Sequence, residues 1–436
     1  MNKTIHPHFS LFSKRLFFCL LIFLAVIQEG QAQNRLEQYV DSARVNDPNI
    51  IQLQKQIQLL ELGKKAIRAS YQAPTGFISS EVNLTPYFNN HGQLFSTNPD
   101  PNAIGYDINI SNGGLYSALM NVNIPLFAGK ATHQALFQQD SQIEVLKTSL
   151  LTANLNLERQ ITDLYLSTLA VQMSYTVQQQ RVQQLSQEVQ VMKQLTRKGM
   201  YRLVDYELLK TTLAGDSIQL HSLANTYQMQ LMQLRSTCGI TDSTLVFLKN
   251  TEITLSQANE NESLFLLPYD NDSLSAVADN LLFNNKYLPQ FTLYSNAGLN
   301  AVALNGMERK FGASAGIRLS YTLFDGKQKA VNQEQKMVRI EQAHSLKYVE
   351  SKRIRMQRAL LLKTIAKADV NLHKQKDLKE NYQKLMKMYR TEVQKGQVRI
   401  SNYLLALRNY SNLKLNYELQ KIKVYRLINE YNYWNH

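Results

Sequence analysis

Disulfide chemistry has almost nothing to act on in this sequence, which contains two cysteines, Cys19 and Cys238. Cys19 falls in the N-terminal segment read below as a leader, whose removal leaves Cys238 without a partner, so stability must come from packing. Long hydrophobic runs are just as scarce. The longest, Leu16 to Ile27, spans twelve residues, well short of the roughly 20 that a membrane-spanning helix needs. Preceded by Lys14 and Arg15 and followed by Gly30-Gln31-Ala32, it has the layout of a secretory leader cleaved before Gln33. Cys19 sits inside the apolar stretch, away from any small-residue cleavage context, so no lipid anchor is expected. Beyond Ala32 no stretch has transmembrane length. Such a chain enters a membrane only as a closed β-barrel, because helices and barrels alone satisfy their backbone polar groups in lipid.

Signatures of catalysis and metal binding are missing too. There is no GxSxG elbow, no HExxH, and no Walker loop, since neither Gly129-Lys130 nor Gly326-Lys327 has a glycine five residues upstream. His91, His133, His221, His344, His373 and His436 are scattered without ligand spacing. The pairs Met229/Met232 and Met386/Met388 have the softness to bind copper, but methionine in a helix is ordinarily packing. No enzymatic activity, cofactor or metal is expected, and without an ATP site any transport must draw its energy from partners. The formal charge is +14, and the leader holds three cations against one acid, leaving +12 on the exported chain. No nucleic-acid-binding motif accompanies that charge, so a nucleic-acid partner is not expected.

What the sequence does hold is a duplication. Ile124-Pro125-Leu126-Phe127-Ala128-Gly129-Lys130 returns as Tyr321-Thr322-Leu323-Phe324-Asp325-Gly326-Lys327, and Lys198-Gly199 and Tyr206 return as Lys395-Gly396 and Tyr403. The offset is constant: 327 minus 130 and 403 minus 206 are both 197. Lys130 to Lys198 and Lys327 to Lys395 contain neither glycine nor proline. Each reads as one helix of roughly 100 Å, followed by a glycine turn and a return helix that ends near Cys238-Gly239 or at the C-terminus. A constant offset marks one structural unit used twice. Leu157, Ile161, Leu164 and Val171, then Val182, Leu185, Val189 and Met192, form a heptad-like seam. Gln172, Gln179, Gln183, Gln187, Gln190 and Gln194 give the same helix a neutral polar face suited to water.

Upstream of each long helix the period changes to two. Residues 77–88 and 106–127 alternate, clearest where Tyr116, Ala118, Met120, Val122, Ile124 and Leu126 interleave with Ser117, Asn121 and Asn123. The second copy alternates Phe291, Leu293, Ala297 and Leu299 with Thr292, Asn296 and Asn300. It continues with Phe311, Ala313, Ala315, Ile317, Leu319, Tyr321 and Leu323 against Ser314, Arg318, Ser320 and Thr322. One apolar and one polar face over about ten residues is the pattern of transmembrane barrel strands. It places Ser117, Asn121, Asn123, Ser314, Arg318, Ser320 and Thr322 on the lumen side. A soluble four-stranded sheet is the plainer alternative. Four strands cannot close a barrel, since the smallest have about eight, so the chain must associate to hide its strand edges, and three copies supply twelve.

With its leader, the Asn46-Asp47-Pro48 turn, the strand-to-helix junctions at Phe127 and Phe324 and the tips at Gly199 and Gly396, the chain resembles the TolC family of outer-membrane efflux channels. The resemblance covers nearly the whole exported chain. It implies a mixed α and β fold: a homotrimer whose four strands per chain complete a twelve-stranded barrel in outer-membrane lipid, above a long antiparallel coiled-coil α-barrel in the periplasm. Residues 1–32 would then be the leader, 33–76 the N-terminal helices of an equatorial collar and upper tunnel, and 77–127 the first β-hairpin. The first long helical hairpin would be 128–239, the equatorial inter-repeat segment 240–286 (with a short helix near 273–283), the second β-hairpin 287–324 and the second helical hairpin 325–436. Only about 50 residues separate Gly239 from Pro289, so the upper helix of the second copy looks shortened or lost.

The function so implied is an exit duct in a tripartite efflux system, passively exporting small molecules from an inner-membrane pump of RND or ABC type through a periplasmic adaptor. Two other readings stand beside it: a type I protein secretion duct, and a coiled-coil structural or adaptor protein of the periplasm that forms no pore. Arg197, Lys198, Gly199, Arg202, Asp205 and Tyr206 of one tip, with Lys395, Gly396, Arg399, Asn402 and Tyr403 of the other, would form the periplasmic entrance and adaptor-docking site. There Asp205 is expected to pair with a neighbouring arginine. The family's acids six and nine residues after the second glycine are here Asn402 and Leu405.

Overall fold

The structure is a computed structural model, and it describes residues 35–96, 98–106, 114–258, 263–302 and 304–436. The leader lies outside the described residues, as do residues 107–113 of the expected second strand. The elements run α1 (Leu36–Asn46), α2 (Pro48–Gln72), β1 (Thr75–Leu84), β2 (Gly114–Leu126), α3 (Gly129–Arg197) and α4 (Leu203–Thr237). They continue with α5 (Leu267–Phe283), β3 (Gln290–Ala301), β4 (Phe311–Ser320), α6 (Gln328–Gln394) and α7 (Ile400–Trp434). The duplication is plain in the lengths. Helices α3 and α6 hold 69 and 67 residues, and α4 and α7 hold 35 each.

Two compact units emerge: residues up to Gln54 with Ser149–Leu266 and Tyr348–His436, and Lys55–Thr148 with Leu267–Lys347. In the first unit the Asn46-Asp47-Pro48 turn works as its chemistry predicts. The Asp47 carboxylate accepts from the Ile50 amide at 2.9 Å, capping α2 where proline opens the helix. Asn46 donates to the Cys238 carbonyl at 3.2 Å, at the C-terminus of α4. Gly239 there has φ +70°, and a Cβ on it would lie 2.6 Å from Asn46, so glycine is required twice over. Around this junction Tyr39, Ala43, Ile161, Tyr165, Leu166, Leu169, Tyr227, Leu231 and Leu234 form the largest buried core.

The buried face of α3 differs from the heptad reading. Leu157, Ile161, Tyr165, Leu169 and Gln172 line it, while Leu164 and Val171 are only half-buried. The lower seam holds better: Leu185, Val189 and Met192 are buried and Val182 half-buried.

The second unit carries a four-stranded antiparallel meander in the order β1-β2-β3-β4. Its strands are shorter than the alternation alone indicates. Phe88 joins only an isolated bridge to Ile104, and β4 stops at Ser320. The upper helix of the second copy is shortened and not lost. Helix α5 has 17 residues against 25 in α2, and it starts at Leu267, six residues before the expected Ser273. Its side chains reach both long helices within this unit. Asn271 donates to Thr148 at 2.7 Å, Lys347 pairs with Asp270 at 2.8 Å, and Asp279 accepts from Gln138 at 3.2 Å and Arg339 at 3.3 Å.

Candidate functional site

Both helical hairpins turn by the same device. At the first tip Gly199 has φ +77°, and the Met200 amide donates five residues back to the Leu195 carbonyl at 3.0 Å. At the second Gly396 has φ +75°, and Gln397 donates to Glu392 at 3.0 Å. These are glycine C-caps closed by a six-to-one hydrogen bond. The structure brings the two tips together. The Tyr201 hydroxyl lies 3.1 Å from the Val393 carbonyl and 3.0 Å from that of Val398, so one hairpin's turn is tied to the other's backbone. Burial first, then the Asp205 charge, raises the pKa of that phenol.

Beneath the turns Leu185, Met192, Leu209, Met386, Val393, Ile400, Tyr403 and Leu407 form a joint core of both hairpins. Tyr403, expected at the surface of the entrance, is instead fully buried. Its hydroxyl donates to Glu188 at 3.0 Å and accepts from Gln184 at 3.1 Å, while Arg390 donates to the same Glu188 oxygen at 3.1 Å. Burial, reinforced by Glu188, holds the Tyr403 phenol far above its ordinary range. Sequence reading misses Glu188, Arg390 and Gln184. The signal available was their spacing on the faces that carry Leu185 and Met386.

Asp205 pairs with Arg202, at 3.3 Å and three residues away on its own hairpin. Arg399 sits at the corresponding place before α7, but there Asn402 stands opposite in place of an acid. Arg197, Lys198, Gly199, Arg202, Lys395, Gly396, Arg399 and Asn402 are exposed, and Tyr206 is half-buried on the joint core. Of the methionine pairs, Met386 is core while Met229, Met232 and Met388 are exposed. Among the described residues no group of three or more His, Cys, Asp or Glu side chains converges.

Away from the tips, residues 240–258 run without regular structure, held by side chains of the first unit. Gln172 lies here, buried and not water-facing. Its amide accepts from the Leu248 amide and the Tyr227 hydroxyl, both at 2.7 Å, and donates to the Leu248 carbonyl at 3.0 Å. Gln183, Gln187, Gln190 and Gln194 are exposed as expected. Tyr165 adds a bond to the Lys249 carbonyl at 2.7 Å and Asn432 one to Thr254 at 2.9 Å.

In the sheet the register sorts the faces, because directly paired residues share one. Ser117 pairs with Glu81 and Asn300, Asn121 with Asn296, Asn123 with Thr75, Ser314 with Asn296, Arg318 with Thr292 and Ser320 with Gln290. The opposite face pairs Ile78 with Met120, Val122 with Ser295, Ile124 with Leu293 and Leu293 with Ile317. Thr322, expected on the polar face, lies past the end of β4 and donates to the Lys286 carbonyl at 3.0 Å. One string with GxSxG spacing exists, Gly312-Ala313-Ser314-Ala315-Gly316, but it is the middle of β4. Ser314 donates there to Asn296 at 2.9 Å, in extended backbone and not on the strand-to-helix turn an elbow requires.

No protein family profile matches the sequence, and no curated protein matches it. Solved structures do match its fold. The CmeC outer membrane channel of Campylobacter jejuni aligns over 92% of this chain and 85% of its own, with 10% identity and a TM-score of 0.69. The outer membrane protein VceC of Vibrio cholerae aligns over 92% and 96%, with 12% identity and a TM-score of 0.67. The MtrE outer membrane channel of Neisseria gonorrhoeae, described in its open state, aligns over 92% and 89%, with 11% identity and a TM-score of 0.65. Through nearly all of its described length, this chain has the fold of the TolC-type outer-membrane channels.

Proposed function

We propose that this chain is the outer-membrane exit duct of a tripartite efflux system. Three copies close a twelve-stranded barrel in the outer membrane, and their helical hairpins extend the duct through the periplasm. A periplasmic adaptor joins it to an inner-membrane pump of the RND or ABC type, and small molecules pass through without energy input from the duct itself. The observation that carries this reading is the sheet. Its apolar face is bare, with Ile78 82% and Ile317 67% exposed, and Val82, Met120, Leu319 and Phe311 beside them. Burying such side chains is worth roughly 1.5–3 kcal/mol each, so leaving this face in water forgoes on the order of ten kcal/mol. Lipid removes that penalty, and the polar face then meets water inside.

The strand edges support closure by like copies. Strands β1 and β4 are both outer strands of the meander and are ten residues each, matched in length for pairing with one another across copies. Aromatic side chains flank the sheet at both ends. Phe127 and Phe324 stand exposed near the helices, and Phe88, Tyr106 and Phe311 near the loops, the girdle pattern of membrane barrels. The neighbours named as outer membrane channels favour the same compartment.

The test is the mass of detergent-extracted protein and its fractionation. A heat-sensitive trimer in the outer membrane that conducts in planar bilayers is the expected result. A soluble monomer or dimer would mean that the strands are not membrane strands, and the coiled-coil alternative would replace the duct.

A further inference from the structure

Positive charge gathers at the joined tips. Residues 193–210 hold five cations against two acids, and residues 384–408 hold six against one. Every one of these acids is already engaged: Asp205 by Arg202 at 3.3 Å, Glu207 by Lys210 at 3.5 Å and Glu392 by Lys395 at 3.8 Å. Arg390 is taken by Glu188. Seven exposed cations remain, among them Arg197, Lys198, Arg399 and Arg408, with no acid in ion-pair distance among the described residues.

Helix stability does not explain them all. Arg197 ends α3 and Lys198 follows it, where a cation is favourable, but Arg399 is the residue before α7, where the helix dipole disfavours it by about 0.3–1 kcal/mol. The side chain of Arg399 makes no capping hydrogen bond. Asp205 relieves Arg202 at the duplicate position, and Asn402 gives Arg399 no such relief.

We infer that the entrance formed by these tips attracts anions, and that the cargo it favours is a small organic anion bearing carboxylate or phosphate groups. The inference rests on the duct reading. Unpaired cations within a Debye length of about 8 Å of an aqueous opening enrich anions there, by about tenfold or more where low-dielectric walls focus the field. Guanidinium groups match carboxylate and phosphate geometry. An acidic docking partner would need one charged face. Here the seven cations are spread over α3, α6, α7 and both turns.

The experiment is the reversal potential of the full-length trimer in a planar bilayer under a KCl gradient. An anion-to-cation permeability ratio on the order of ten in 0.1 M salt, falling toward one in 1 M salt, is expected. The double variant Lys198→Gln/Arg399→Gln lowers the ratio several-fold, and Asn402→Asp, which supplies Arg399 with the missing acid, lowers it as well. Gln397→Ala, an uncharged change on the second turn, leaves it unchanged. Conducting channels that prefer potassium or show no preference overturn the inference alone. So does a ratio that responds to Arg318→Gln and not to the tips, or tip variants that lose adaptor capture with selectivity intact. A trimer with no conductance at all refutes the duct reading, and this inference with it.

Discussion

Replacing Gln172 with methionine keeps the length of the side chain and removes three hydrogen bonds at once. Two of them are both backbone bonds of Leu248, which is 4% exposed, so water has little access to replace them. The Tyr227 hydroxyl loses one partner but keeps the Val246 carbonyl at 2.6 Å. A buried backbone group left unpaired costs about 1–3 kcal/mol, so the two together cost roughly 2–6 kcal/mol. The segment is an irregular strap whose neighbours are largely exposed, so local opening relieves the strain and the lower end of that range applies. Two kcal/mol is close to a thirtyfold change in the opening equilibrium, at 1.4 kcal/mol per tenfold. Amide exchange at Leu248 in the Gln172→Met variant should therefore accelerate by at least about thirtyfold, and trypsin should cut after Lys249 sooner. Gln183→Met, on the exposed face of the same helix, is the control and should change neither. Exchange at Leu248 within about threefold of the parent would refute the clamp, because threefold corresponds to less than one hydrogen bond.

Gly199→Ala and Gly396→Ala should each lower stability by about 1–2 kcal/mol, the strain of a left-handed L-residue, read as a fall in Tm. Gly129→Ala, with open space and no positive φ, should not. Alkaline pH should free the inter-repeat strap. Burial raises the Tyr165 and Tyr227 phenols from 10.0 to about 12, so their stabilisation is complete below pH 10 and is lost as pH rises toward 12. Tyrosinate absorbance should appear together with exchange at 246–249, and ionisation of all tyrosines near pH 10 would contradict the burial. At the acid end, Asp325 accepts from Tyr287 and from the Lys327 and Lys329 amides, which hold its carboxyl below 3.8. That contribution is present above the ordinary carboxylate range and lost as pH falls through the lowered value. Asp325→Asn should make the fall of Tm with decreasing pH shallower, and an unchanged slope would contradict the contact.

The faces of the sheet were legible because a strand's side-chain period is two, and a single misplaced register would have put Asn121 and Met120 on the wrong sides. The glycine tips and the Asp47 cap were legible because few residue types perform those tasks. Gln172 was not. A glutamine clamping backbone looks the same in sequence as one facing water, and only its place on the face of Tyr165 and Leu169 hinted at burial. Tyr403 misled for a related reason. Next to a charged turn it reads as surface, but α7 packs its first turns against α3, and that pairing is a tertiary fact with no local signature. The ion partner of Asp205 was equally open, since Arg202 and Arg399 are equivalent by duplication and only coordinates decide between them.

Duplication also explains where the two copies part company. Both junctions read Leu-Phe-x-Gly-Lys, yet Phe127 takes the left-handed backbone (φ 59°) in the first, while Gly326 (φ 63°) and Lys327 (φ 69°) take it in the second. The cause is the position of each strand in the meander. Strand β2 is hydrogen-bonded on both sides and stays paired to β3 up to Leu126, so the chain must turn abruptly at Phe127. Strand β4 is bonded on one side only, and its ladder runs out at Ser320, where β3 begins at Gln290. Residues 321–325 are then free to turn gradually, and Asp325 caps the first turn of α6 in place of a strand constraint. Tyr321, Leu323 and Phe324 are left 55%, 76% and 93% exposed on that unpaired stretch. In a closed barrel this edge meets β1 of the next copy. Cysteines placed on β4 and β1 should therefore cross-link between chains into trimers, and cross-links confined within one chain would contradict the closure.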